Sequence, residues 1–222
     1  MEKGIHPIGQ EVYSMKGCTG GSTVIFFIFL FTITTACGLA GCGKNAPLRQ
    51  QFSAPAAVTA AELLPGLTVF YLDKFYRTTG HMPTYLEARS QGRPGKPVFQ
   101  LNHQFAHDVP VFDSGAQKGV GMVLAGYLHL AESGEYRFQA LANDGIEFSL
   151  DGRLLFEDPA VHSDRLSPFG IADVAAGGWY PILIRYFQRK GTAALKLYWQ
   201  PPGATQFSII PAGIYAHQET RE

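Results

Sequence analysis

Several things are scarce in this chain, and each scarcity excludes something. Three cysteines in 222 residues cannot complete a disulfide framework. Net charge is missing, because 18 Lys and Arg offset 18 Asp and Glu. No global attraction to nucleic acid or anionic lipid is therefore expected. Long apolar runs are missing as well. The most apolar stretch, Val24–Ala36, has 13 residues, where a spanning helix needs about 20. Enzyme motifs are absent: no nucleophile elbow, phosphate loop, zinc-protease motif or cysteine pair occurs. The paired carboxylates Glu157 and Asp158 are adjacent and so point apart, unlike a glycosidase pair. A non-catalytic chain is expected. What the chain has in quantity is Gly 25 and Pro 14, together 39 of 222 residues, against a usual level of about 12%. Many turns and short connections follow, which argues against a long-helix protein. Apolar residues at 46% and aromatics at 13% suffice for a packed core, so wholesale disorder is excluded.

The 13 residues of Val24–Ala36 fit the h-region of an export signal. A start at Met1 gives a weak n-region, because Glu2, Lys3, Glu11 and Lys16 cancel. A start at Met15 leaves Lys16 and the free amine, which suits the positive-inside bias better. The h-region ends in Leu39-Ala40-Gly41-Cys42, which resembles the bacterial lipoprotein lipobox. That resemblance implies acylation of Cys42, cleavage just before it and a signal peptide over 1–41. The mature chain then has 181 residues (222 − 41) and retains neither Cys18 nor Cys37. Gly43, in place of the Asp that holds many lipoproteins at the inner membrane, implies the outer membrane. From Gly43 to Pro65 no apolar periodicity is visible, and a lipidated coil over 42–65 is expected to tether the domain. At about 5–6 Å × √n such a coil would hold the domain roughly 25–30 Å from the bilayer.

From Gly66 the pattern changes to short apolar runs between turn residues. Leu67–Leu72, Val98–Leu101, Gly121–Leu130, Tyr136–Leu141, Ile146–Leu150, Leu154–Phe156, Ile182–Phe187 and Ala194–Trp199 all read as strands. Asp151-Gly152 is the strongest short hairpin signal. Strands at this spacing predict an all-β domain, an antiparallel β-sandwich or barrel over 66–217 with a short tail at 218–222.

Three ordered motifs carry a family resemblance. Tyr136–Gly152 is similar to the central signature of the PA14 domain family, and Val174–Phe187 resembles its second signature. Leu195–Gly203 is similar to its closing strand and Ile210–Tyr215 to its terminal edge. The resemblance implies a β-sandwich, of a kind found in bacterial glycosidases, toxins, adhesins and yeast flocculins, which commonly serves carbohydrate binding. In the sugar-binding members two adjacent aspartates hold calcium, which coordinates the sugar. The matching pair here is Asn143-Asp144, so only one carboxylate is retained. The second binding loop corresponds to Gln188-Arg189-Lys190-Gly191-Thr192, where two cations replace the usual asparagine.

Two readings stand for these loops. Asn143, Asp144, Gln188, Arg189 and Lys190 bind a glycan, with Asn143 and Asp144 holding Ca²⁺; or Asn143-Asp144-Gly145 is a loop stabilised by Asx hydrogen bonding. Cations beside a calcium site are unfavourable, yet suit an anionic sugar or phosphate. A glycan or an envelope protein is thus the expected partner, and an assembly subunit with a degenerate sugar site is the alternative. The tryptophans Trp179 and Trp199 are expected in the core. Tyr71, Phe75, Tyr76 and Tyr85 are freer candidates for exposure. His103 and His107 would share a helical face as metal ligands, but the flanking Asn102 and Pro110 favour a surface loop.

Overall fold

A computed structural model describes residues 46–219. The signal peptide over 1–41, the Met15 start, Cys42 and the last residues of the tail lie outside the described residues. The strands begin with β1 (Arg49–Phe52), β2 (Leu63–Pro65), β3 (Thr68–Asp73), β4 (Arg93–Pro94) and β5 (Asn102–Phe105). They continue through β6 (Val120–Leu130), β7 (Gly134–Ala142), β8 (Ile146–Leu150), β9 (Arg153–Asp158) and β10 (Arg165–Leu166). The last are β11 (Gly170–Val174), β12 (Gly178–Gln188), β13 (Ala193–Gln200), β14 (Ser208–Ile209) and β15 (Tyr215–Gln218). One short α-helix, α1 (Tyr85–Gln91), starts at a capping box in which Thr84 and Glu87 satisfy each other's amides.

Two sheets face each other. One runs β1-β11-β7-β13-β14, with β10 beside β7 and β5 beside β13. The other runs β2-β15-β6-β12-β8-β9, with β3 beside β6 and β4 beside β3. Period-two alternation explains the layers. Along β7, Tyr136, Phe138, Ala140 and Ala142 point inward while Arg137 and Gln139 point out. Along β12, Tyr180, Ile182, Ile184 and Tyr186 do the same from the opposite sheet. Phe138 meets Phe148 across the gap at 5.3 Å between ring centres. The Asp151-Gly152 signal is realised as a tight β8–β9 hairpin with φ of 46° and 71° at its two turn residues.

Four expectations are corrected. The tether is mostly fold: β1 lies parallel to β11, Phe52 is 2% exposed and β2 pairs with β15. A strand that buries one residue of four carries no visible periodicity, which is why the segment read as coil. Tyr71 and Tyr76 are buried and only Phe75 is freely exposed, at 48%. Trp199 does pack against the core, but Trp179 sits on the outer face of β12, 4.8 Å from the His129 ring, because alternation gives the inward place to Tyr180. Asn102–Phe105 is a strand rather than a loop, so His103 and His107 share no helical face. The His103 ring stacks on Phe105 and meets Phe112 at 4.4 Å.

Candidate functional site

Strand direction brings the two suspected loops together. β13 runs antiparallel to β7 with Leu195 opposite Ala142, so the loop after β7 and the loop before β13 share one end of the sandwich. Asp144 adopts a left-handed φ of 63°, which an aspartate tolerates better than most residues. Gly145 must follow it, since a Cβ there would collide with the Phe187 ring and the Pro159 carbonyl.

The Arg189 amide donates to Asp144 Oδ2 at 2.7 Å, and the Asp144 amide donates to the His162 carbonyl at 2.9 Å. Burial pushes the Asp144 carboxyl above the ordinary carboxylate value, held back by the Arg189 and His162 amides and by the charges of both side chains. Asn143 is also buried. Its Nδ2 donates to Asp164 Oδ1 at 2.7 Å, and Gln104 Nε2 donates to Asp164 Oδ2 at 3.1 Å. Gln188 is fully buried beneath the loop, its Nε2 donating to the Gly191 and Thr192 carbonyls at 3.3 and 3.4 Å. It braces the loop and is not displayed to solvent. Arg189 is half-buried and Lys190 is exposed.

Sequence reasoning missed several neighbours. The Pro159 carbonyl, beside Gly145, accepts from the Thr79 amide at 3.0 Å. His162 Nε2 lies 3.2 Å from Asp158 Oδ2 without an aligned hydrogen bond, while Arg165 grips the same carboxylate through two nitrogens at 2.7 and 2.5 Å. Tyr186 faces Ile146 across β8 and β12. Burial, then the charges of Asp144 and Asp164, push its hydroxyl well above the ordinary tyrosine value. None of these residues stands near Asp144 in sequence, and no local motif marks them.

Six buried side-chain polar atoms lack a hydrogen-bond partner among the described residues. Four of them belong to residues around Asp144: the Tyr186 hydroxyl, Gln188 Oε1, Arg189 Nε and His162 Nε2, the last 3.2 Å from Asp158 Oδ2. Buried polar groups are usually satisfied, so this concentration marks a place built for polar company. The company does not fit Ca²⁺. One Asp144 oxygen already takes the Arg189 amide, Arg189 and His162 offer nitrogens, and no group of three His, Cys, Asp or Glu converges among the described residues. Calcium needs six to eight oxygens.

No curated protein sequence matches the chain with significance. Solved structures do. An anti-sigma factor domain-containing protein superposes with a TM-score of 0.59 at 19% identity, covering 71% of this chain and 49% of its own. The chain thus spans about half the length of that protein. The A domain of epithelial adhesin 9 from Candida glabrata, solved in complex with Galβ1-4GlcNAc, gives 0.54 at 14% identity, covering 78% and 97%. The PA14 sugar-binding domain of an RTX adhesin gives 0.51 at 15%, covering 69% and 99%. These likenesses concern the sandwich itself. The PA14 domain model matches residues 101–213, half of the chain, from β5 to the turn before β15. With its signatures folded as β7–β8 and β12–β13 of a two-sheet sandwich, the chain belongs to the PA14 domain family.

Proposed function

We propose that this chain is a non-catalytic carbohydrate-binding module, carried on the bacterial envelope through an acylated Cys42 and recognising its glycan at the Asp144 end. The observation that carries the reading is the group of buried polar atoms without aligned hydrogen bonds on the residues around Asp144. Ordered waters beneath a bound sugar supply donors and acceptors of both kinds that such buried atoms lack. Two of the similar structures support it, one solved with a disaccharide and one described as sugar-binding. Arg189 and Lys190 at the mouth favour a glycan bearing carboxylate or phosphate. Calcium has no step in this reading. Isothermal calorimetry of the chain against neutral and acidic glycans, with chelator present, tests it. Binding of an acidic glycan that weakens in the exposed-residue variant Lys190→Ala is expected. No binding across the panel overturns the reading.

A second reading has its own observation. Asn143 spends its amide on Asp164 and Asp144 spends an oxygen on the Arg189 amide, so the family's metal pair is engaged internally. An assembly subunit with a degenerate sugar site would look the same. Co-purification of one protein partner that survives chelation and excess sugar would favour it. The anchor is tested separately: palmitate labelling that Cys42→Ala removes is expected.

A further inference from the structure

The direction of the first strand decides which way the sandwich faces. β1 is parallel to β11, and β11 is antiparallel to β7, so the start of β1 points toward the end of β7 where Asp144 lies. Ala46 accordingly lines one groove with Glu157 and Pro159, the segment that covers Gly145. Three residues separate Ala46 from Cys42, four steps along the chain and a reach of at most about 14 Å. A chain anchored at Cys42 therefore cannot hold this end away from the lipid.

The surface at the same end suits that position. Three neighbouring loops are joined by backbone hydrogen bonds: the Lys74 amide donates to the Gly119 carbonyl at 2.8 Å, and the Gly119 amide to the Arg189 carbonyl at 2.9 Å. Lys74, Lys118 and Lys190 project from these three loops, all exposed and none in an ion pair among the described residues. Phe75, packed on Gly119, exposes 48% of its surface between them. Acids are present too: Asp73 is exposed within the cluster, Glu157 is exposed near Ala46, Asp164 is held by Asn143 and Gln104, and Asp108 lies beyond Gln117. At the opposite end Glu132 and Asp151 are exposed without ion-pair partners among the described residues, next to the β6–β7 and β8–β9 turns, and so is Arg153, whose guanidinium donates to the Gln51 carbonyl. The chain is neutral overall, yet three of its lysines gather at the end that bears Asp144.

We infer that the end of the sandwich bearing Lys74, Phe75, Lys118 and Lys190 docks on the anionic headgroup surface of the membrane that anchors the chain. The inference rests on the Cys42 anchor of the proposed function for the choice of membrane. The lysines pair with headgroup phosphates and Phe75 enters the interface, an arrangement in which one acyl signal and a basic patch reinforce each other. The candidate glycan site then opens toward the membrane surface, and its ligand is a sugar borne there.

The test uses the full chain inserted through its own N-terminus into vesicles of phosphatidylcholine with or without phosphatidylglycerol. Amide hydrogen exchange is read at 73–77, 117–119 and 188–191, and at 131–134 and 203–204 on the opposite end. Slowing confined to the first three segments, present only with phosphatidylglycerol, is expected. Each lysine near an anionic surface is worth about fivefold in affinity. The double variant Lys74→Gln/Lys118→Gln, which leaves the glycan loops intact, is therefore expected to lose the slowing. So is the parent at about 0.5 M salt, where the Debye length is under about 5 Å. Slowing at both ends alike, slowing at the opposite end, or slowing that the double variant retains overturns the inference. Glycan calorimetry in detergent, without vesicles, succeeds or fails on its own, so the two readings fall separately.

Discussion

Asp144 is the residue on which the candidate site turns, and its charge works against the fold. Burial raises its carboxyl above the ordinary carboxylate value. A group that binds its proton more tightly folded than unfolded contributes fully at pH below its unfolded value, and that contribution drains away as pH rises through the folded value. Ionised Asp144 therefore costs stability at neutral pH. Asp144→Asn deletes the charge but keeps a residue that tolerates the left-handed backbone and an oxygen for the Arg189 amide. Its melting midpoint is expected to exceed the parent's at neutral pH and to lose that margin near the ordinary carboxylate value of about 3.9. Calorimetric scans across pH read the difference. A variant that trails the parent equally at every pH would assign the carboxylate a geometric role only. The neighbouring glycine gives a second check. A methyl group at Gly145 meets the Phe187 ring and the Pro159 carbonyl, so Gly145→Ala is expected to cost about 1–3 kcal/mol in urea unfolding. Unchanged stability would mean that the loop is looser than its packing implies.

Among the elements, β1 separates a tethered domain from a docked one. Its Phe52 ring meets Tyr180 edge-on at 6.3 Å and is covered by Arg153, whose guanidinium lies 5.6 Å above it. Phe52→Ala is expected to destabilise the domain by about 3 kcal/mol. If 49–52 were linker, the variant would unfold with the parent's midpoint. The same strand shows where sequence reading stops. β7, β8, β12 and β13 were legible because each buries every second residue over five or more positions. β1 buries a single residue, and its place is set by partners 124 and 86 residues away: Arg49 binds Asp173 at 2.6 and 2.8 Å and Glu135 at 2.6 Å. The candidate site divides in the same way. Asn143, Asp144 and the Gln188–Thr192 loop could be found because the segments that carry them resemble the family's signatures. Thr79, His162 and Asp164 could not, because they reach the site through long connections without periodicity. The burial of Gln188 was equally hidden, since alternation at a strand's last residue does not say whether the loop beyond folds over it.

For the whole molecule, the decisive question is whether its binding end works by metal or by charge. A divalent ion held at 100 times its Kd would add about 2.7 kcal/mol of stability. For a sandwich of this size that corresponds to a midpoint shift of roughly 5–10 °C. We expect none between chelator and millimolar Ca²⁺, because Arg189 and His162 occupy the surroundings of Asp144 and the free oxygens are too few. An acidic glycan is expected to raise the midpoint under both conditions, and added salt to reduce that rise, since Lys190 and Arg189 carry the attraction. A calcium shift that Asp144→Asn removes would reverse this: it would mean that Arg189 swings aside and that Asn143, Asp144 and Gln188 turn their oxygens to a common centre. The two mechanisms then differ in what salt and chelator do, whichever glycan is bound. Charge recognition survives chelator and fades with salt, whereas a metal bridge survives salt and fails with chelator.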